Sequence, residues 1–343
     1  MGIRDRIFCI PEKPLFADPM AGDVFAAEGT RPISVADFSN RIIAAAIKRR
    51  WEPLLSRWIS PEQRGFVPGR QMLDNIIERE QDMMIKSMSG REPMAILVDF
   101  KAAFPSVAHD YLLGVFESLG VPREARVALQ NLYDDGKCSV VHGGSRWPGF
   151  AMQAGIRQGC PLAPITFAAV MDLLLRFIRR RLPPVFVRAF ADDIGLVLGD
   201  VEKELPELAE VLLEFSEMSG MEINLTKTVG IPLTGEAAEV VQARIAALVP
   251  TWGAMPLQPS AKYLGFQIGP GKRQIQWTEV REKIFKKVSS WSWRAAGLHF
   301  SITIYNTYIA TVAGFLLQLA ELSPEMLKLE AHIMHKAIPG VGN

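Results

Sequence analysis

Three aspartates are placed where they could do chemistry together. Asp99 ends a short apolar run at 93–100, and Asp192 with Asp193 interrupts a second apolar segment at 185–198. Apolar residues on both sides of an Asp-Asp pair read as a hairpin with the acids at its turn. If the two strands are neighbours in one sheet, three carboxylates converge at one edge. Carboxylates that close repel one another unless a cation neutralises them. Hard oxygen ligands with open positions suit Mg²⁺, which is held by one or two carboxylates plus substrate phosphates. Two such ions about 4 Å apart can engage both the attacking and the leaving oxygen of an in-line phosphoryl displacement. The protein then contributes positioning and charge stabilisation rather than covalent chemistry. Each acid alone is ordinary turn or strand-end chemistry; the expectation rests on the three together.

The elements that must position these acids follow from periodicity and punctuation. Residues 1–30 are rich in Pro, Gly and Asp, with little periodicity. Helices are predicted over 35–58, with Ser34 and Asp37 as candidate caps, and over 71–88, joined by a loop at 60–70. The run 93–100 suits a buried strand. A helix at 109–119 precedes a hairpin over 137–153, with Gly143 and Gly144 at its turn. A helix at 161–181 leads to the 185–198 hairpin. An acidic helix over 201–219 carries Leu205, Leu208, Leu212 and Phe215 on one face, and Gly220 sits at its C-cap. Extended pieces surround Ile223 and 263–268, and beyond Trp277 the chain reads as helical. Strands interleaved with helices but joined by hairpins indicate an α+β fold with a largely antiparallel sheet.

Composition narrows the class. The chain has 343 residues, 49% hydrophobic, enough for a sizeable core. The first twenty residues lack the apolar stretch of a secretory signal. The most membrane-like run, 305–320, is broken by Asn306, Thr307, Thr311 and Gln318, so a soluble intracellular protein with no membrane partner is expected. Cys9, Cys138 and Cys160 share no CxxC spacing, which disfavours a disulfide framework or zinc site. The net charge of +1 conceals opposed clusters. Glutamates dominate 201–222, while basic residues gather at Lys48-Arg49-Arg50, at Arg179-Arg180-Arg181, and at Arg281, Lys283, Lys286, Lys287 and Arg294. Trp277, Trp291 and Trp293 are interleaved with the last cluster, a pattern that suits phosphates and packing in a nucleic-acid cradle.

Several blocks resemble one family. Leu97-Val98-Asp99-Phe100-Lys101-Ala102-Ala103-Phe104 is similar to the first catalytic block of reverse transcriptases. The run Gly155-Ile156-Arg157-Gln158-Gly159-Cys160-Pro161-Leu162-Ala163-Pro164 resembles the second, in the form found in non-LTR retrotransposons. Phe190-Ala191-Asp192-Asp193 looks like the aromatic-x-Asp-Asp box. Gly220 through Asn224 to Lys227 resembles the next block, and Tyr263-Leu264-Gly265 the primer grip. Upstream, Arg31-Pro32-Ile33-Ser34 and Gln63-Arg64-Gly65-Phe66-Val67-Pro68-Gly69-Arg70 resemble the fingers blocks of the non-LTR enzymes. The blocks occur in the family's order over roughly residues 10–320. Pro105 and Ala163 depart from its common residues without touching the expected chemistry.

The resemblance implies a right-hand polymerase: fingers at 1–95, a palm at 96–270 with a fingers insertion at about 112–150, and a helical thumb at 271–343. It implies an RNA template, a DNA primer, dNTPs and two Mg²⁺ ions, with Mn²⁺ as a substitute. Asp99 and Asp192 would hold the metals with Asp193 in support. Phe104 would sit beneath the sugar and exclude a 2′-hydroxyl by a clash. Phe100, Gln158 and Gly159 would line the nucleotide site, with Gln158 opening the helix beneath the templating pair. Arg31 would clamp the triphosphate, Lys13 is a second candidate for that contact, and Lys227 would approach the pyrophosphate. His109 is read as structural. A silent or domesticated fragment that binds RNA or RNA–DNA hybrid, and an intron maturase, are the alternatives. With no endonuclease, ribonuclease H or Cys/His knuckle motif in view, the chain is not expected to insert itself unaided.

Overall fold

A computed structural model describes residues 4–11, 15–18, 22–25, 30–133, 137–142, 145–290 and 293–337. It divides the chain into two compact units, Met1–Gln258 and Pro259–Asn343.

The first unit opens with β1 (Arg4–Pro11), β2 (Phe16–Asp18), β3 (Gly22–Val24) and β4 (Thr30–Val35). The aperiodic sequence of 1–30 concealed these strands. β1 is hydrogen-bonded on both sides, so cross-strand pairing rather than an alternating apolar pattern holds it extended. Helix α1 (Phe38–Trp58) starts where the side chain of Asp37 accepts from the Phe38 N–H at 2.8 Å. Ser34, the other candidate cap, belongs to β4. There follow α2 (Met72–Ser89), β5 (Met94–Val98), α3 (Ala103–Ser106), α4 (His109–Ser118) and α5 (Arg123–Tyr133). β6 (Lys137–His142) and β7 (Ser145–Ala151) pair antiparallel, and β6 runs parallel to β1, giving a sheet of order β4-β1-β6-β7. The turn glycines between β6 and β7 lie outside the described residues.

The rest of the unit builds the central sheet. α6 (Ala163–Arg181) is followed by β8 (Phe186–Phe190), β9 (Asp193–Leu198), α7 (Val201–Ser219), β10 (Val229–Pro232) and α8 (Ala238–Leu248). The sheet is antiparallel throughout, in the order β10-β5-β9-β8. Every residue of β5 is buried, as its unbroken apolar run requires. A hydrophobic core cluster packs this sheet against α6 and α7 and takes in Phe167, Leu174, Leu205, Leu208, Leu212 and Phe215. α7 ends at Gly220, which adopts φ 78°. Its outer acids are not only solvated: Arg181 of α6 donates to Glu207, Glu210 and Glu214, at 2.5, 2.8 and 2.8 Å.

The second unit begins with a short hairpin, β11 (Ala261–Tyr263) and β12 (Phe266–Ile268). Helices α9 (Lys272–Ile275), α10 (Thr278–Ser290), α11 (Trp293–Ile304), α12 (Ala310–Gly314) and α13 (Pro324–Ala337) complete it. The apolar run at 305–320 is divided among a π-turn, α12 and a 3₁₀ turn. Among the described residues no helix is long and apolar enough to cross a membrane. Trp277 is buried and its indole N–H donates to the Glu321 carbonyl at 3.0 Å. Trp291 lies outside the described residues, while Arg281, Lys283 and Lys286 are exposed on α10.

Candidate active site

Register brings the predicted acids to one edge of the central sheet. Val98 pairs with Ile194, so Asp99 leaves β5 beside the end of β9 from which the hairpin turn emerges. Phe190 pairs with Asp193, which leaves Ala191 and Asp192 as the two turn residues. Such a turn needs a positive φ, and Ala191 supplies it at 59° without being glycine. The segment after Ile223 wraps Asp99 from the other side. The Asp99 N–H donates to Thr228 Oγ1 at 3.2 Å, and the Asn224 N–H donates to the Asp99 carbonyl at 2.8 Å.

Electrostatics identify the neighbours of the Asp99 carboxyl. Burial pushes it above the usual carboxylate range; Lys227 opposes that rise, Asp192 adds to it, and a hydrogen bond with Asn224 opposes it. Asp99, Asp192 and Lys227 therefore share one site. Asp193, the first residue of β9, is exposed. Among the described residues no group of three His, Cys, Asp or Glu side chains is gathered tightly enough to hold a metal by itself. A pair of half-buried carboxylates in mutual repulsion still fits a divalent ion, because Mg²⁺ is ordinarily completed by water and substrate phosphates.

Phe104 lies just past this edge. Its ring stacks on Phe167 with centroids 3.9 Å apart, and Phe66 meets it edge-on at 6.0 Å. Side chains alternate along an extended chain, so Phe100, the residue after Asp99, turns inward; its ring is buried against Phe215 and faces the core. Gln158 does not open α6, which starts at Ala163. It lies in the preceding turn, where Gly159 at φ 106° breaks the helical path. That turn is docked on β4: the Ser34 N–H donates to the Gln158 carbonyl at 2.9 Å. The main chain of Arg31, in β4, pairs with Ile10 of β1. Lys13 lies outside the described residues. His109 donates a ring N–H to the Gly155 carbonyl at 3.1 Å and packs on Tyr133, a structural position.

The profile of the family described as reverse transcriptase (RNA-dependent DNA polymerase) matches residues 12–268. The chain belongs to the reverse transcriptase family. It is 25% identical over 285 residues to the transposon TX1 uncharacterized 149 kDa protein of Xenopus laevis, a match that covers 80% of this chain and 21% of that protein. It is 30% identical over 209 residues to the retrovirus-related Pol polyprotein from the type-2 retrotransposable element R2DM of Drosophila melanogaster, covering 59% and 20%. These relatives assign the chain to the non-LTR type, and it spans about a fifth of their length. Among solved structures, an apo telomerase from Candida tropicalis truncated from its C-terminal domain superposes with a TM-score of 0.53 at 12% identity, over 78% of this chain and 53% of that one. Telomerase from Candida albicans gives 0.51 at 10%, over 98% and 58%. At such identities the likeness is one of fold, the right-hand polymerase fold.

Reverse transcriptases as a family use divalent metals, which suits the paired carboxylates. The sequence pointed to the fingers block 63–70 without giving its residues a task, and missed Asn224 and Thr228 as partners of Asp99. In both, one partner is a main-chain group, which leaves no compositional trace. In the second unit, the Tyr263-Leu264-Gly265 block forms the β11–β12 turn, with Leu264 at φ 48° and Gly265 at φ 89°.

Proposed function

We propose that this chain is an RNA-directed DNA polymerase that extends a DNA primer on an RNA template with dNTPs. The observation that carries the reading is the meeting of Asp99 and Asp192 at one edge of an antiparallel sheet, within a reverse transcriptase fold. Asp99 and Asp192 would hold two Mg²⁺ ions, with Asp193 in support and Mn²⁺ as a substitute; the ions supply charge neutralisation and activation of the primer hydroxyl. Lys227, beside Asp99, offers its cation to the departing pyrophosphate. Arg31 is assigned to the triphosphate, and Gln158 with Gly159 to the floor of the nucleotide site. The domain division carried forward is fingers at 1–95 with the 112–150 piece, palm at 96–270 and thumb at 271–343. The pairing of β1 with β6 supports joining the first two segments.

Phe104 sets the sugar choice in this reading. Packed between Phe167 and Phe66, its ring is rigid and cannot yield to a 2′-hydroxyl. Phe104→Val removes the obstacle while leaving an apolar floor. The ratio of UTP to dTTP incorporation on poly(rA)/oligo(dT) should then rise by about 10- to 100-fold, the usual scale for steric discrimination of small groups. An unchanged ratio would move the gate elsewhere.

The founding test is primer extension on the same template with Mg²⁺, comparing the unaltered chain with Asp192→Ala. Extension that disappears with the substitution supports the polymerase. A folded, unaltered chain that binds the hybrid but adds no nucleotide would leave a nucleic-acid-binding remnant instead.

A further inference from the structure

We infer that Gln63, in the loop between α1 and α2, is a positioning residue that holds the Ala191–Asp192 turn in its catalytic shape. The inference rests on the polymerase reading above. Gln63 is fully buried, although a buried amide is costly unless its polar atoms are bonded. Those bonds converge on the turn. Oε1 accepts from the Ala191 N–H at 2.9 Å and from the Gly65 N–H at 2.8 Å, while Nε2 donates to the Ala191 carbonyl at 3.0 Å. One side chain thus grips both polar groups of the residue that immediately precedes Asp192.

Ala191 is the residue that needs gripping. Its φ of 59° lies in the left-handed region, which disfavours a residue with a Cβ. Its own hairpin does not account for the conformation by composition, since the turn is Ala-Asp rather than Asn-Gly. The clamp is itself braced. Arg64 donates its N–H to the Ala189 carbonyl at 2.8 Å, and the Ala189 N–H returns to the Glu62 carbonyl at 2.9 Å. Asn75 Nδ2 donates to the same Ala189 carbonyl at 2.9 Å. Arg70 fastens the loop behind, donating to the carbonyls of Ser56, Ile59, Ser60 and Gln63. The loop is therefore built as a rigid cradle for one backbone turn. Without the clamp, relaxation of φ at Ala191 would rotate the following peptide and swing the Asp192 carboxylate away from Asp99.

Pre-steady-state primer extension on poly(rA)/oligo(dT) with saturating dTTP and Mg²⁺ separates positioning from simple folding damage. Gln63→Met keeps the volume and removes the hydrogen bonds. The expected result is a burst rate about 100-fold lower, the cost of a displacement of about 1 Å at a reacting centre, with burst amplitude and hybrid affinity within about twofold of the unaltered chain. Adding Ala191→Gly to Gln63→Met should recover part of the rate, because glycine takes the turn conformation without strain. A lower amplitude at an unchanged burst rate would make Gln63 merely structural and overturn the inference. Should Gln63→Met not fold, Gln63→Glu decides. The introduced acid can donate to the Ala191 carbonyl only while protonated, so burst rate relative to the unaltered chain should fall as pH rises; a flat ratio would overturn the inference. If the unaltered chain itself extends nothing, the polymerase reading fails first and the clamp loses its purpose with it.

Discussion

Asp99→Asn should abolish primer extension and yet raise the thermal stability of the metal-free protein. The two effects share one cause. Burial disfavours the Asp99 carboxylate, and the charge of Asp192 adds to the penalty, while Lys227 and Asn224 recover only part of it. A carboxyl whose folded-state pKa is raised binds its proton more tightly in the folded chain than in the unfolded one. The stability it contributes is therefore full at low pH and is lost as pH rises through the raised value. Asparagine has nothing to titrate and keeps the hydrogen-bonding shape. In EDTA at neutral pH, Asp99→Asn should melt at a higher temperature than the unaltered chain, and the gap should close on acidification. Adding Mg²⁺ should raise the melting temperature of the unaltered chain and leave that of the variant nearly unmoved. On activity, loss of one of two metal-holding carboxylates should cost at least about 10³-fold, because metal neutralisation of a phosphoryl transition state supplies several kcal/mol. A variant that still extends primers within tenfold of the unaltered chain would remove Asp99 from the metal site.

How much of this was legible in advance depends on what the sequence had to encode. β5 announced itself because a strand buried on both faces must be apolar throughout, and Asp99 stood out by ending it. The β8–β9 hairpin was equally plain, since two acids interrupting an apolar segment have nowhere to go but a turn. α7 was readable from its buried face and its capping glycine. β1 and β10 were not: one draws its order from neighbours on both sides, and the other is four residues long. Helices α5 and α8 also passed unnoticed, each only 11 residues. At the site, types and spacing located the acids, while alternation along the chain turned Phe100 into the core and Gly159 delayed the start of α6. The residues that shape the catalytic turn were the least visible, because what they hold are backbone atoms that any sequence possesses.

Gly65 makes that last point testable, and its substitution should be the most damaging of any outside the acids. A Cβ built on Gly65 would lie 2.0 Å from the Ala191 nitrogen and 2.7 Å from the Phe190 carbonyl carbon. Both are backbone atoms of the catalytic turn, so no side chain can swing aside to make room. Either the loop that bears Gln63 withdraws or the turn that bears Asp192 moves. Gly69, four residues along the same loop, separates this contact from conformational strain. Its φ is 79°, but a Cβ there would meet nothing within 4 Å. Gly69→Ala should cost only the left-handed penalty of about 1–2 kcal/mol and leave the burst rate of extension near that of the unaltered chain. Gly65→Ala should cost about 1–3 kcal/mol through overpacking and, in the molecules that remain folded, lower the rate by about 100-fold or more. Measured together, melting temperature and burst rate should fall together for Gly65→Ala, whereas only melting temperature should fall for Gly69→Ala. Equal losses of rate in the two variants would mean that the loop matters only for folding. A loss confined to Gly65→Ala would tie the catalytic rate to one backbone contact, in which the absence of a side chain is what lets the loop between α1 and α2 hold the Asp192 turn.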